Sequence, residues 1–140
     1  MCIRDSNHSY LCRKIILAVE QTGQWEAWPE LALAIESGLI PDIAIYPPGV
    51  LAPNFFEDQT LCAVLPKVVI EVVSPSQPIH SLMLKAGKFI KAGIPAVWIV
   101  EPYGPVIYVS TPAGRKVQLA GVVESVGVRV DFAGIFGQGA

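Results

Sequence analysis

The sequence predicts a mixed α/β domain, a sheet flanked by helices, and three observations carry that expectation. Helical periodicity occurs twice, over residues 8–21 and 79–92. Between and after these segments lie short β-branched runs bounded by proline, glycine and serine. One run, Val68–Val73, is almost continuously apolar, as in a strand covered on both faces.

In chain order, Leu11, Ile15 and Val19 recur every four residues with Ile16 and Ala18 beside them, which gives the first helix its apolar face. Asn7 or Ser9 is suited to cap its start and Gly23 to end it. Residues 27–36 alternate, with Ala27, Leu31, Leu33 and Ile35 on one face and Glu30 and Glu36 on the other, so a strand is expected there. Ser37-Gly38 turns the chain into a second strand, Ile40–Tyr46, which Pro47-Pro48-Gly49 ends. Residues 47–66, with four prolines and little periodicity, read as a long loop, a candidate lid or interface. The buried run follows, and Ser74-Pro75-Ser76 breaks it, the serines reading as turn and helix-capping residues. The second helix ends at Gly93. Strands are then expected at Ala96–Glu101, Val106–Ser110 and Lys116–Leu119, and a short strand with one helical turn within Val126–Phe136.

The 140 residues suit one domain, taken as 7–137. The opening stretch 1–6 fits no element and is set aside as a leader with the look of a cloning or assembly remnant. With 52% hydrophobic and 16% charged residues the chain can build a core, yet no uninterrupted apolar run is long enough for a spanning helix, so no membrane partner is expected. A formal net charge of −2 excludes a whole-molecule basic field, which leaves Lys85, Lys88, Lys91, Arg115 and Lys116 to meet phosphate locally. Three cysteines without a CxxC pair suit a reducing, cytoplasmic compartment, and two widely separated histidines suggest no zinc site.

Two acids stand out because of their surroundings. Glu71 is the one carboxylate within Lys67–Val73, and Asp42 is a lone acid within Ile40–Ile45. A carboxylate buried in an apolar strand needs a cation or donors. Two such acids on two central strands can face one point and hold a hard divalent ion; a strand-end acid facing water is the plainer alternative. Lys85 lies at the edge of the apolar face defined by Leu82, Ala86, Phe89 and Ile90, where it can either reach the acids or snorkel to water. Trp25, Trp28 and Trp98 are candidates for base stacking, but Trp98 sits in so apolar a strand that it reads as core. There is no G-x-S-x-G nucleophile motif.

Taken in order, Pro41-Asp42-Ile43-Ala44-Ile45, Val69-Ile70-Glu71-Val72-Val73-Ser74-Pro75-Ser76, Lys85 with Phe89, and Ala92–Pro102 resemble the Uma-two family of restriction-type endonucleases in the PD-(D/E)XK superfamily, over about His8–Phe136. The resemblance implies a restriction-endonuclease-like fold and a DNA phosphodiesterase in which Asp42, Glu71 and the Val72 carbonyl hold Mg²⁺ or Mn²⁺. It places the lysine, absent at Val73, at Lys85 on the following helix. It makes His8 an accessory candidate, a structural helix-start histidine being the plainer alternative. Glu30, which precedes the hairpin, is a further candidate on position alone, with a solvated strand face as its plainer reading. Ser81, Phe89 and Glu101 depart from the family pattern, and none of the three removes the proposed triad. Restriction-type nucleases commonly act as dimers, which leaves room for a homodimer here. RNA as substrate, and a non-catalytic binding module that keeps the fold, remain open at this level.

Overall fold

The computed structural model describes residues 6–138. A six-stranded sheet carries β1 (Glu26–Pro29), β2 (Ile43–Tyr46), β3 (Val68–Val72), β4 (Ala96–Glu101), β5 (Val106–Thr111) and β6 (Gly114–Leu119), in that spatial order. Its ladders are antiparallel except β3 with β4, which run parallel because α2 (Ile79–Ala92) carries the chain back between them. Helix α1 (Ser6–Glu20) covers the other face, together with a separate hairpin of β7 (Val122–Ser125) and β8 (Val128–Asp131) and the short α3 (Phe132–Gln138).

Side-chain alternation divides the core in two. Ile43, Ile45, Val68, Ile70, Val72, Trp98 and Val100 face α1, whose Leu11, Ile15 and Val19 are buried against them. Val69, Val73, Val97 and Ile99 face α2, which buries Leu82, Ala86 and Phe89. Glu71 therefore shares its face with Val69 and Val73 and points toward α2. All five residues of β3 are buried, as a strand covered on both faces requires. Trp98 is fully buried, makes an edge-to-face contact with Phe132 at 6.0 Å, and donates its indole N–H to Ser125 Oγ at 2.9 Å.

The helix over 79–92 and the strand over 96–101 lie where periodicity places them. Gly93 closes α2 at φ 113°, a left-handed conformation that glycine adopts without strain. Other expectations need correction. The alternating segment 27–36 is a strand only to Pro29: proline offers no N–H to continue the ladder, and Glu30 turns away at φ 48°. Leu33 and Ile35 are nevertheless buried, Leu33 bridging to Leu39 and Cys62. The second strand starts at Ile43, since Pro41 interrupts it and Ile40 is half exposed. Helix α1 begins at Ser6, so Asn7 and Ser9 lie inside it. Ser6 is the first residue of α1, and residues 1–5 of the expected leader lie outside the described residues. Ser74 and Ser76 form a turn, but neither caps α2, whose N-cap is Pro78 without a side-chain bond. At the tail, Val126 and Gly127 are the left-handed pair of a tight hairpin turn joining β7 to β8, so the expected strand start falls on the turn and β7 precedes it.

Residues 47–66 contain no helix or ladder strand, and Phe55 and Phe56 at their tip are almost fully exposed. Among the described residues no helix is long and apolar enough to cross a membrane.

Candidate active site

The register of β2 against β3 builds the site. Ile45 pairs with Val68, Ala44 with Val69 and Ile43 with Ile70, so the next step sets Asp42 opposite Glu71. Directly opposed residues of an antiparallel pair have side chains on one face and within reach of each other. Asp42 also lies where the chain leaves the sheet, which lets its carboxylate meet groups from both layers. Oδ2 accepts the backbone N–H of Val72 at 2.8 Å and faces Nε2 of His8, on α1, at 3.0 Å. Both Asp42 and His8 are 3% exposed.

From the other layer, Lys85 of α2 brings its ammonium to 2.8 Å from Glu71 Oε1. Lys85 also donates to the Ile40 carbonyl at 2.7 Å and lies 5.8 Å from the centre of the Phe89 ring. It is partly open to solvent, at 22% exposure, while Glu71 is closed off. The lysine approaches Glu71 as a charge rather than along a hydrogen-bond direction. Among the described residues neither carboxylate oxygen of Glu71 accepts a well-formed hydrogen bond.

That arrangement shifts the acid. Burial raises the Glu71 pKa, the Asp42 carboxylate raises it further, and the Lys85 ammonium lowers it without prevailing, so the group is pushed up to about 8. A second positive charge is what this pocket lacks. Two buried carboxylates side by side and one ammonium suit a divalent cation.

Of the residues singled out from sequence, Asp42, Glu71, Val72, Lys85 and His8 converge here. Glu30 is close through its backbone, its N–H donating to the Asp42 carbonyl at 3.1 Å, while its residue surface is exposed. Trp98 is core, and Trp25 and Trp28 are half-buried with their indole N–H groups engaged by the Gly127 carbonyl and Glu26. Sequence reasoning passed over two participants. The Ile40 carbonyl carries no side-chain signal. Cys12, one turn after His8 on the buried face of α1, places Sγ 3.7 Å from His8 Nδ1, and the helical spacing of the two was the available clue.

A mixed sheet between helices, with two acids meeting at the start of β2 and the end of β3, defines a protein of restriction-endonuclease-like fold. One solved structure of that architecture is titled as a putative nuclease belonging to DUF820 from Anabaena variabilis. It superposes with a TM-score of 0.79 at 17% identity, covering 97% of this chain and 83% of that one. The family model Uma2, described as "Putative restriction endonuclease", matches residues 4–132, and the chain belongs to that family. No curated protein matches it by sequence.

Proposed function

We propose that this protein is a metal-dependent endonuclease that hydrolyses phosphodiester bonds in DNA. The observation that carries the reading is Glu71: a fully buried carboxylate that accepts no well-formed hydrogen bond among the described residues, opposite Asp42 and beside Lys85. A group of that kind is costly to retain without a ligand. Asp42, Glu71 and the Val72 carbonyl would hold Mg²⁺ or Mn²⁺, whose oxygen preference these donors match. When bound, such an ion polarises the scissile phosphate and lowers the pKa of water.

The chain's own residues do the rest. The Val72 N–H and His8 fix one oxygen of Asp42, which orients that carboxylate before any ligand arrives. The Ile40 carbonyl and Glu71 hold the Lys85 ammonium at the mouth of the site, where it orients the attacking water or stabilises charge on the phosphoryl oxygens. Away from the two acids, toward the start of β4, Lys91 and Arg115 line a depression of about 320 Å³ between α2 and the β5–β6 hairpin, a second place where positive charge can meet a DNA backbone despite the net −2. Glu30 borders the site as an accessory acid.

The test is incubation with plasmid, single-stranded DNA and RNA, with Mg²⁺, Mn²⁺ or EDTA, beside folded Glu71→Ala and Lys85→Ala variants. Cleavage of DNA that needs metal and is lost in both variants is the expected result. Cleavage that survives both variants overturns the assignment, and cleavage of RNA alone replaces the substrate. The acidic balance of the chain favours one rival, a binding module that keeps the fold without turnover, and absence of cleavage by any form would support it.

A further inference from the structure

A second cluster of ligating atoms adjoins the carboxylate pair. His8 and Cys12 occupy successive turns of α1, and together with Asp42 they offer a nitrogen, a sulfur and an oxygen all within 4.8 Å of one another. We propose that His8 and Cys12, backed by Asp42, form a binding site for a thiophilic divalent ion such as Zn²⁺. It is distinct from the oxygen-lined centre of Asp42 and Glu71, and it stands whether or not the chain cleaves DNA.

The geometry is specific. Tetrahedral zinc holds sulfur at about 2.3 Å and imidazole nitrogen at about 2.0–2.1 Å, which sets the two donors about 3.6 Å apart. Cys12 Sγ and His8 Nδ1 are 3.7 Å apart. The opposite ring nitrogen, Nε2, lies 3.0 Å from Asp42 Oδ2, an oxygen that already accepts the Val72 N–H. An ionised carboxylate can only accept, so the ring proton belongs on Nε2 and the Nδ1 lone pair faces the thiol. A carboxylate behind a histidine whose other nitrogen meets a metal is the arrangement that fixes tautomer and ring orientation in zinc proteins. His8 and Asp42 are buried, whereas Cys12 is partly exposed and gives an ion a way in.

Binding exchanges the thiol S–H bond for an S–metal bond and releases that proton to solvent. The ion's remaining positions are left to water, with Asp42 holding the far edge of the His8 ring. Thiolate and imidazole select zinc-like ions, while Mg²⁺ keeps to oxygen. The two neighbouring centres therefore sort cations by softness, and occupancy of the first constrains Asp42, which both share.

Titration of the reduced, metal-free full chain with Co²⁺, the spectroscopic stand-in for zinc, tests this without reference to cleavage. The expected result is one equivalent bound, with thiolate-to-cobalt charge-transfer absorption that Zn²⁺ abolishes and excess Mg²⁺ does not. The band should disappear in Cys12→Ser and in Cys12→Ala. Affinity should fall at least tenfold in His8→Ala, and Cys62→Ser and Glu71→Ala should keep the band. Absence of a thiolate band in the unaltered protein, or a band that persists in folded Cys12→Ser, overturns the proposal. Failure here leaves metal-dependent cleavage untouched, and loss of cleavage in Glu71→Ala does not bear on the cobalt band.

Discussion

The Lys85 ammonium lies 2.8 Å from Glu71 Oε1, although one side chain comes from the central strand β3 and the other from the helix that follows it. The pair joins the partly exposed mouth of the site to its closed floor. In the proposed function, replacing Lys85 by Ala or Met removes the ammonium assigned to the substrate phosphate. The expected loss of turnover is about 10²–10³-fold, the range seen when one electrostatic stabiliser of a transition state is deleted. Single-turnover cleavage of plasmid measures it, and loss of less than tenfold would assign the lysine to packing.

The pH response of the metal-free protein reports on Glu71. Its folded-state pKa, about 8, is raised above the ordinary 4.5. Between those values the native state binds more protons than the unfolded chain, so this group's contribution is fully present below about 4.5 and is lost as pH rises toward 8. Melting temperature in EDTA should therefore fall from pH 5 to pH 8 more steeply than in Glu71→Gln, which has no proton to lose. Parallel profiles would refute the shift. Because the carboxylate must be ionised to ligate, Mg²⁺ affinity should strengthen over the same window.

Asp42 organises two partners, the Val72 N–H and His8, through one oxygen. Asp42→Ala leaves the Val72 N–H and His8 without their acceptor in a buried place, and a cost of about 2–3 kcal/mol is expected from denaturant unfolding. Asp42→Asn keeps an acceptor oxygen and should cost less than half of that while still abolishing metal-dependent cleavage. Equal destabilisation by both variants would contradict this account.

On the α1 side of the sheet, Trp98 anchors the join between the main sheet and the β7–β8 hairpin. Trp98→Ala should cost about 3–5 kcal/mol, as for other large-to-small changes in a packed core. Ser125→Ala leaves only the indole N–H unanswered and should cost about 1–3 kcal/mol. Calorimetric or denaturant melts compare the two, and the order reversed would mean the hairpin, not the indole packing, dominates.

At the loop tip the opposite result is expected. Phe55 and Phe56 are almost fully exposed, so Phe55→Ser with Phe56→Ser should change stability by no more than about 0.5 kcal/mol. A larger loss in a monomeric sample would show that this loop docks on the domain in solution.

Much of the molecule follows from local pattern. A period of 3.6 over 79–92 and an unbroken apolar run at 68–73 need no distant information to specify a helix and a doubly covered strand. The same locality marks Asp42 and Glu71, because a charge among aliphatic neighbours is conspicuous wherever the chain leads. Local pattern misleads at Pro29–Glu30, where alternation continues in the side chains after the backbone has left the ladder, and at Val126, where a β-branched residue occupies a turn.

Tertiary structure alone decides the partners. His8 and Asp42 are 34 residues apart, and only the packing of α1 across the sheet end brings Nε2 to that carboxylate. The β2–β3 register sets Asp42 opposite Glu71, and a slip of one residue would turn one of them to the other face. Cys12 gains its meaning from His8, and His8 from Asp42. Sequence by itself determined which residues could carry charge into the core, since that depends on neighbours along the chain. Which of those charges meet was decided by strand register and helix placement, since contact across elements depends on how separate faces are buried together.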